Sequence, residues 1–136
     1  MKMNYFISII IFALLLGGCS LGLVNKEPPQ KLASPTSITS SLVLDFGNGE
    51  ISTSSATGSK TAFDALEKTA REKNLEIKAN NNYDFGVLVE GIGSFTNNSS
   101  KSWLYYVNGQ MPSVAADKYE LKQGDIIEWK YEEPNF

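Results

Sequence analysis

Apolar positions along this chain fall into three regimes. Tyr5 to Leu16 is an almost uninterrupted apolar run, preceded by Lys2 and closed by Gly17-Gly18-Cys19. Ser20 to Ser41 shows no sustained apolar period and carries Pro28-Pro29, Pro35 and several Ser and Thr. Such a stretch buries too little surface to fold and reads as a flexible tether. From Leu42 onward the strand and helix periods appear, so the folded part is expected over residues 42–136.

Within that part, Leu42-Val43-Leu44-Asp45-Phe46 reads as a strand and Gly47-Asn48-Gly49 as its turn, with a second strand near Glu50 to Ser54. A helix is expected to open at Thr61, whose hydroxyl can cap the first turn while Asp64 reciprocates. Phe63, Leu66 and Ala70 would form its apolar stripe, with Asp64–Lys68 and Glu67–Arg71 as outward pairs and Asn74 as the stop. Leu75 to Ala79 alternates as a half-buried strand, Asn80-Asn81-Asn82 reads as a turn, and Val87-Leu88-Val89 centres a more fully buried strand over Phe85 to Glu90. Trp103 to Val107 is aromatic-rich and ends at Asn108-Gly109, a strong hairpin signal, after which Gln110 should turn back along the strand as far as Pro112 allows. A turn at Lys122 to Asp125 leads to the last strand, Ile126 to Glu132, with Ile127, Trp129 and Tyr131 on one face. Strands, one helix and strands again predict an α+β domain with a mixed sheet and a single packed helix.

Composition narrows the chemistry. The formal net charge is −3 and no basic cluster occurs, so the footprint needed to neutralise nucleic-acid phosphates is missing. The chain has no His and a single Cys, which removes the commonest general base, disulfides and most transition-metal sites. Oxygen ligands for Ca²⁺ exist near Asn80, Asp84 and Asn97, but their spacing matches no EF-hand loop and solvated turns are the better reading. Gly91-Ile92-Gly93 lacks a third glycine and so fails as a dinucleotide fingerprint. Glu132-Glu133 points to opposite faces of a strand and makes a poor acid–base pair. No catalytic constellation, metal site or cofactor site emerges, and the chain reads as a non-enzyme.

The N-terminal run, with Leu14-Leu15-Leu16-Gly17-Gly18-Cys19, resembles the lipobox of a bacterial lipoprotein. In such proteins residues 1–18 are a signal peptide and the cysteine thiol is acylated. The apolar run is shorter than the ~20 residues a spanning helix needs. One acyl chain anchors weakly, so the diacylglyceryl group that lipobox maturation adds gives the firmer hold. Cys19 is therefore the expected lipidation site, residues 19–41 the tether, and the extracytoplasmic face of the cell membrane the expected location.

Three stretches carry a second resemblance: Thr61 to Leu66 opening the helix, Trp103 to Gly109, and Gly124 to Tyr131. Together they resemble the transcobalamin-like C-terminal domain of bacterial surface proteins and lipoproteins, over roughly Leu42 to Glu133. That resemblance implies a β-grasp-like fold and, as a ligand, cobalamin or a related corrinoid. In animal cobalamin carriers the related module closes over the ligand together with a helical barrel, which this sequence lacks. Trp103, Tyr105, Tyr106 and Asn108 are the candidate ligand contacts, since Trp and Tyr combine a flat apolar face with a polar handle. Alternation sets Trp103, Tyr105 and Val107 against Leu104 and Tyr106, so one of the two sets must also serve the core. Asn108-Gly109 equally reads as a plain tight turn. Two functions follow as expectations: a membrane-anchored small-ligand binding module, or a protein–protein interaction or adhesion module of the cell envelope.

Overall fold

The first and last strands of the domain lie side by side and parallel at the centre of its main sheet. The computed structural model describes residues 37–135. Cys19 (the expected lipidation site), the expected signal peptide and most of the expected tether lie outside those residues. The elements are β1 (Ser41–Asp45), β2 (Ile51–Ser55), α1 (Ala62–Lys73), β3 (Ile77–Tyr83), β4 (Gly86–Ile92), β5 (Phe95–Thr96), β6 (Ser102–Val107) and β7 (Ile126–Glu132). They form a four-stranded sheet in the order β2-β1-β7-β6, where only the β1–β7 pair is parallel, and a three-stranded antiparallel sheet β3-β4-β5. This is the expected α+β, β-grasp-like class. Among the described residues, no helix is long and apolar enough to cross a membrane.

One buried cluster joins these parts. Leu42 and Leu44 of β1, Ile127, Trp129 and Tyr131 of β7, and Trp103 of β6 share it with Ala62, Ala65 and Leu66 of the helix and Val89 and Ile92 of β4. Among the described residues, all its members fall between Leu42 and Tyr131, so this stretch carries a core of its own. The chain is already fastened before Leu42: Ser40 is buried, and Gly58 N–H donates to the Ile38 carbonyl at 2.7 Å.

The helix begins as its sequence dictates. Thr61 is the N-cap in extended backbone, its hydroxyl accepts from Asp64 N–H at 3.1 Å, and the Asp64 carboxylate accepts in return from Thr61 N–H. Asn74 ends the helix in the left-handed conformation at φ 54°. The Thr61→Ala variant should lose about 1 kcal/mol, read as a lower urea midpoint; an unchanged midpoint would show the cap to be dispensable. The buried face differs from the expected stripe: Ala62, Ala65, Leu66, Thr69 and Ala70 are inside, while Phe63 is only half-buried. The outward pairs also do not form. Asp64 is taken by the cap and Lys68 Nζ donates to the Thr57 carbonyl at 2.5 Å.

Two turn expectations are corrected. Asn80-Asn81-Asn82 belongs to β3, where the Asn80 side chain accepts from Asn82 N–H at 3.0 Å beside a break in register. The reversal falls instead at Asp84-Phe85, before Gly86 at φ 121°. Asn108-Gly109 does turn, with φ of 52° and 76°, but only a single Val107–Gln110 bridge follows. The partner of β6 is β7. Asn108 is held by Asp125 and the first residue of β7, accepting from Ile126 N–H at 3.0 Å and donating to the Asp125 carboxylate at 2.9 Å. Pro112 has no N–H to extend a ladder, and residues 110–125 run instead as an irregular connection.

Candidate functional site

The two sheets meet at one end of β6 and part at the other. Where they meet, Trp103 N–H donates to Asn97 Oδ1 at 2.8 Å, its indole N–H donates to the Phe95 carbonyl at 2.9 Å, and Asn97 Nδ2 donates to the Val89 carbonyl at 3.0 Å. Where they part, a groove of about 480 Å³ opens. Its sides are Val87 to Val89 of β4 and Trp103 to Tyr105 of β6; Trp129 lies beneath, and Met111 to Ala116 form the third wall. Three consecutive residues of each strand border it although alternate side chains face opposite ways. The strand edges, as well as their faces, therefore frame the groove.

The third wall is pinned from several directions. Asp117 accepts from Val87 N–H at 2.9 Å, the Tyr105 hydroxyl donates to the Val114 carbonyl, and two amides of the first helical turn, Ala62 and Phe63, donate to the carbonyls of Tyr119 and Ala116 at 3.1 and 3.0 Å. The capped helix thus spends amides that have no intrahelical partner on holding the groove wall. Burial opposes a charge on Asp117, but the Val87 N–H and the Lys118 ammonium, 3.1 Å away, outweigh it and hold the carboxyl below its ordinary value.

The groove is apolar and its rim is exposed. Phe85 is 59% exposed, Met111 44% and Val114 47%, values that single out the rim because the floor residue Trp129 is 3% exposed. Tyr83 stacks on Phe85 at 4.9 Å and widens the patch. On the floor, Tyr105 stacks on Trp129 at 5.4 Å. The Trp129 indole N–H is buried without a hydrogen-bond partner, an unmet donor in the floor residue.

Of the residues singled out in the sequence, Trp103 and Tyr105 line the groove. Trp103 is also core, 3% exposed and packed edge-on against Phe46 at 5.6 Å. Tyr106 and Asn108 lie elsewhere. Tyr106 faces the other side of the sheet, where its hydroxyl donates to Glu132 at 2.5 Å and Lys130 Nζ sits 5.0 Å from the ring centroid. Asn108 is occupied by the start of β7. Sequence reading missed Phe85, Val87, Leu88 and the wall from Met111, because residues far apart in the chain meet there. The one signal was the apolar run Val114-Ala115-Ala116 beyond the Asn-Gly turn.

Both strand tyrosines titrate late. Burial, then the neighbouring Tyr119 and Asp117, push Tyr105 up to about 12; the hydrogen bond to Glu132, then burial and the Glu132 and Glu128 charges, push Tyr106 up to about 12. Folded-state values raised above the ordinary tyrosine value of 10.0 stabilise the fold fully below pH 10, and that contribution is lost as the pH rises through about 12. The denaturation midpoint should fall across this window, and fall less in a Tyr105→Phe, Tyr106→Phe double variant. Equal falls in both proteins would contradict the assignment.

A family model described as a domain of unknown function, DUF4430, matches residues 59–133, more than half of the chain. The chain belongs to this family. The matched DUF4430 span runs from the helix cap through the groove walls to the end of β7. No curated protein matches the chain. Among solved structures, a protein from Ruminococcus gnavus ATCC 29149 to which metal binding has been ascribed aligns at TM-score 0.58 and 16% identity, covering 72% of this chain and 99% of that one. Haptocorrin in complex with Cbi aligns at TM-score 0.62 and 14% identity, covering 74% of this chain and 26% of haptocorrin. At these identities the likeness concerns the fold alone. Among the described residues, no group of three or more Cys, Asp or Glu side chains is placed to hold a metal ion.

Proposed function

We propose that this DUF4430 chain is a non-enzymatic binding module, carried outside the cytoplasm on a lipid at Cys19, whose groove holds a ligand with a flat face. Cobalamin or a related corrinoid is the named ligand. The observation that carries the reading is the groove itself: an aromatic floor of Tyr105 and Trp129, an exposed apolar rim, and a wall pinned in place before any ligand arrives. Its volume sits within the ~300–1,000 Å³ usual for small-molecule sites.

The haptocorrin likeness supports a corrinoid over other flat ligands, because that protein with the same module fold was solved holding Cbi. The groove is open on one side, so a partner would complete the enclosure of so large a ligand. The titratable side chains lining the groove are Lys118, paired with Asp117, and the Tyr105 phenol, which is committed to Val114. This lining supports binding over catalysis.

The test is calorimetric titration of residues 20–136, which include every member of the buried cluster described above, with cobinamide and cyanocobalamin. Saturable binding at micromolar or tighter is expected. Absence of heat with ligand near millimolar would overturn the corrinoid assignment.

A further inference from the structure

The edge of β6 bordering the groove offers main-chain hydrogen bonds. Asn108 N–H donates to the Ile126 carbonyl at 2.9 Å, in the register that pairs Tyr106 with Glu128, Leu104 with Lys130 and Ser102 with Glu132. Antiparallel pairs alternate between hydrogen-bonded and non-hydrogen-bonded. The even-numbered residues therefore bond β7, and the main-chain groups of Trp103, Tyr105 and Val107 point to the opposite edge. Two of these already show their partners there. Trp103 N–H donates to Asn97 Oδ1, and Val107 exchanges both bonds with Gln110, at 2.8 and 3.1 Å. Between them the Tyr105 N–H, the Tyr105 carbonyl and the Trp103 carbonyl have no partner among the described residues. Sheets usually guard such an edge with charge, proline or a bulge. The β6 sequence Ser-Trp-Leu-Tyr-Tyr-Val has neither charge nor proline, and its pairing with β7 runs without a break in register.

We infer that the groove receives an extended polypeptide segment of a partner chain, added to β6 as a further strand. One residue of the segment exchanges two hydrogen bonds with Tyr105, and a residue two positions away donates to the Trp103 carbonyl. Alternate side chains of an added strand point to opposite faces. One set enters the apolar space above Trp129, and Phe85, Met111 and Val114 require it to be aliphatic or aromatic. The free donors and acceptors at strand spacing suit a peptide main chain, whereas a lipid can fill the groove but cannot pair with that edge. The inference rests on the groove being the binding site, and the segment and a corrinoid compete for it.

The probes are short blocked peptides alternating valine, leucine or phenylalanine with serine, titrated into residues 20–136. The chain's two tryptophans, Trp103 and Trp129, both line the groove, so their fluorescence reports occupancy there. Saturable fluorescence change is expected, with exchange of the Tyr105 amide slowed by about tenfold or more, and with N-methylation at alternate peptide positions weakening binding by about tenfold. Peptides that fail to bind, bind without protecting Tyr105, or bind regardless of N-methylation would overturn the inference. If cobinamide binds and the peptides do not, the added strand is wrong and the groove reading stands; if neither binds, both fall.

Discussion

Replacing Trp103 by alanine will bring the domain close to unfolding, rather than simply emptying its groove. The side chain is 3% exposed, packs against Phe46 and Tyr131 at 5.6 and 5.4 Å, and its N–H meets the Phe95 carbonyl where the two sheets join. Truncating a buried Trp costs about 3–5 kcal/mol, and leaving the carbonyl unmet adds about 1–3. Domains of this size hold only about 5–15 kcal/mol in total. A urea titration should show a midpoint lowered by a large fraction, or no folded baseline. A variant folded as stably as the parent would mean that Trp103 is not a core residue. Binding at the groove is therefore better probed at rim residues, which the core does not need.

The second large effect is expected at Gly86, immediately after the β3–β4 reversal. Its φ of 121° belongs to a region that L side chains rarely adopt, and a Cβ there would fall on the Asp117 carboxylate and 2.7 Å from the Ala115 Cβ. Backbone strain alone costs about 1–3 kcal/mol. Relieving the clash means moving Asp117, whose bond to Val87 N–H ties the wall to β4. The Gly86→Ala variant should therefore lower the thermal midpoint and weaken any groove ligand more than the midpoint change implies. Ala116 and Tyr119 remain tied to the helix, so the loss centres on residues 111–115. Unchanged amide exchange at Val87 in this variant would contradict the coupling.

Local signals were readable in the sequence and long-range ones were not. The capping box at Thr61 and Asp64, the Asn74 stop, the apolar alternation of β7 and the Asn108 turn each depend on residues within a few positions of one another. The groove depends on Val87 meeting Asp117, thirty positions away in the chain, which no local pattern encodes. The Asn80 run misled because asparagine suits turns and bulges alike: its side chain mimics a turn inside β3 while the strand continues. The Asn-Gly signal located a real turn but not the pairing of its strand, because β7 already held Asn108 through both main chain and side chain. Alternation in β6 correctly separated Trp103 and Tyr105 from Tyr106. It could not say which residues would border the open edge.

We place the binding site of this domain in the groove between β4, β6 and residues 111–116. This placement is tested most directly by cobinamide titrations of the parent and of Met111→Glu, a change at a 44% exposed rim residue outside the buried core. Saturable binding to the parent is expected, with a loss of about tenfold or more in the variant as a carboxylate enters an apolar rim, and equal urea midpoints for the two proteins. Binding of equal strength to both, at equal stability, would place the ligand outside this groove.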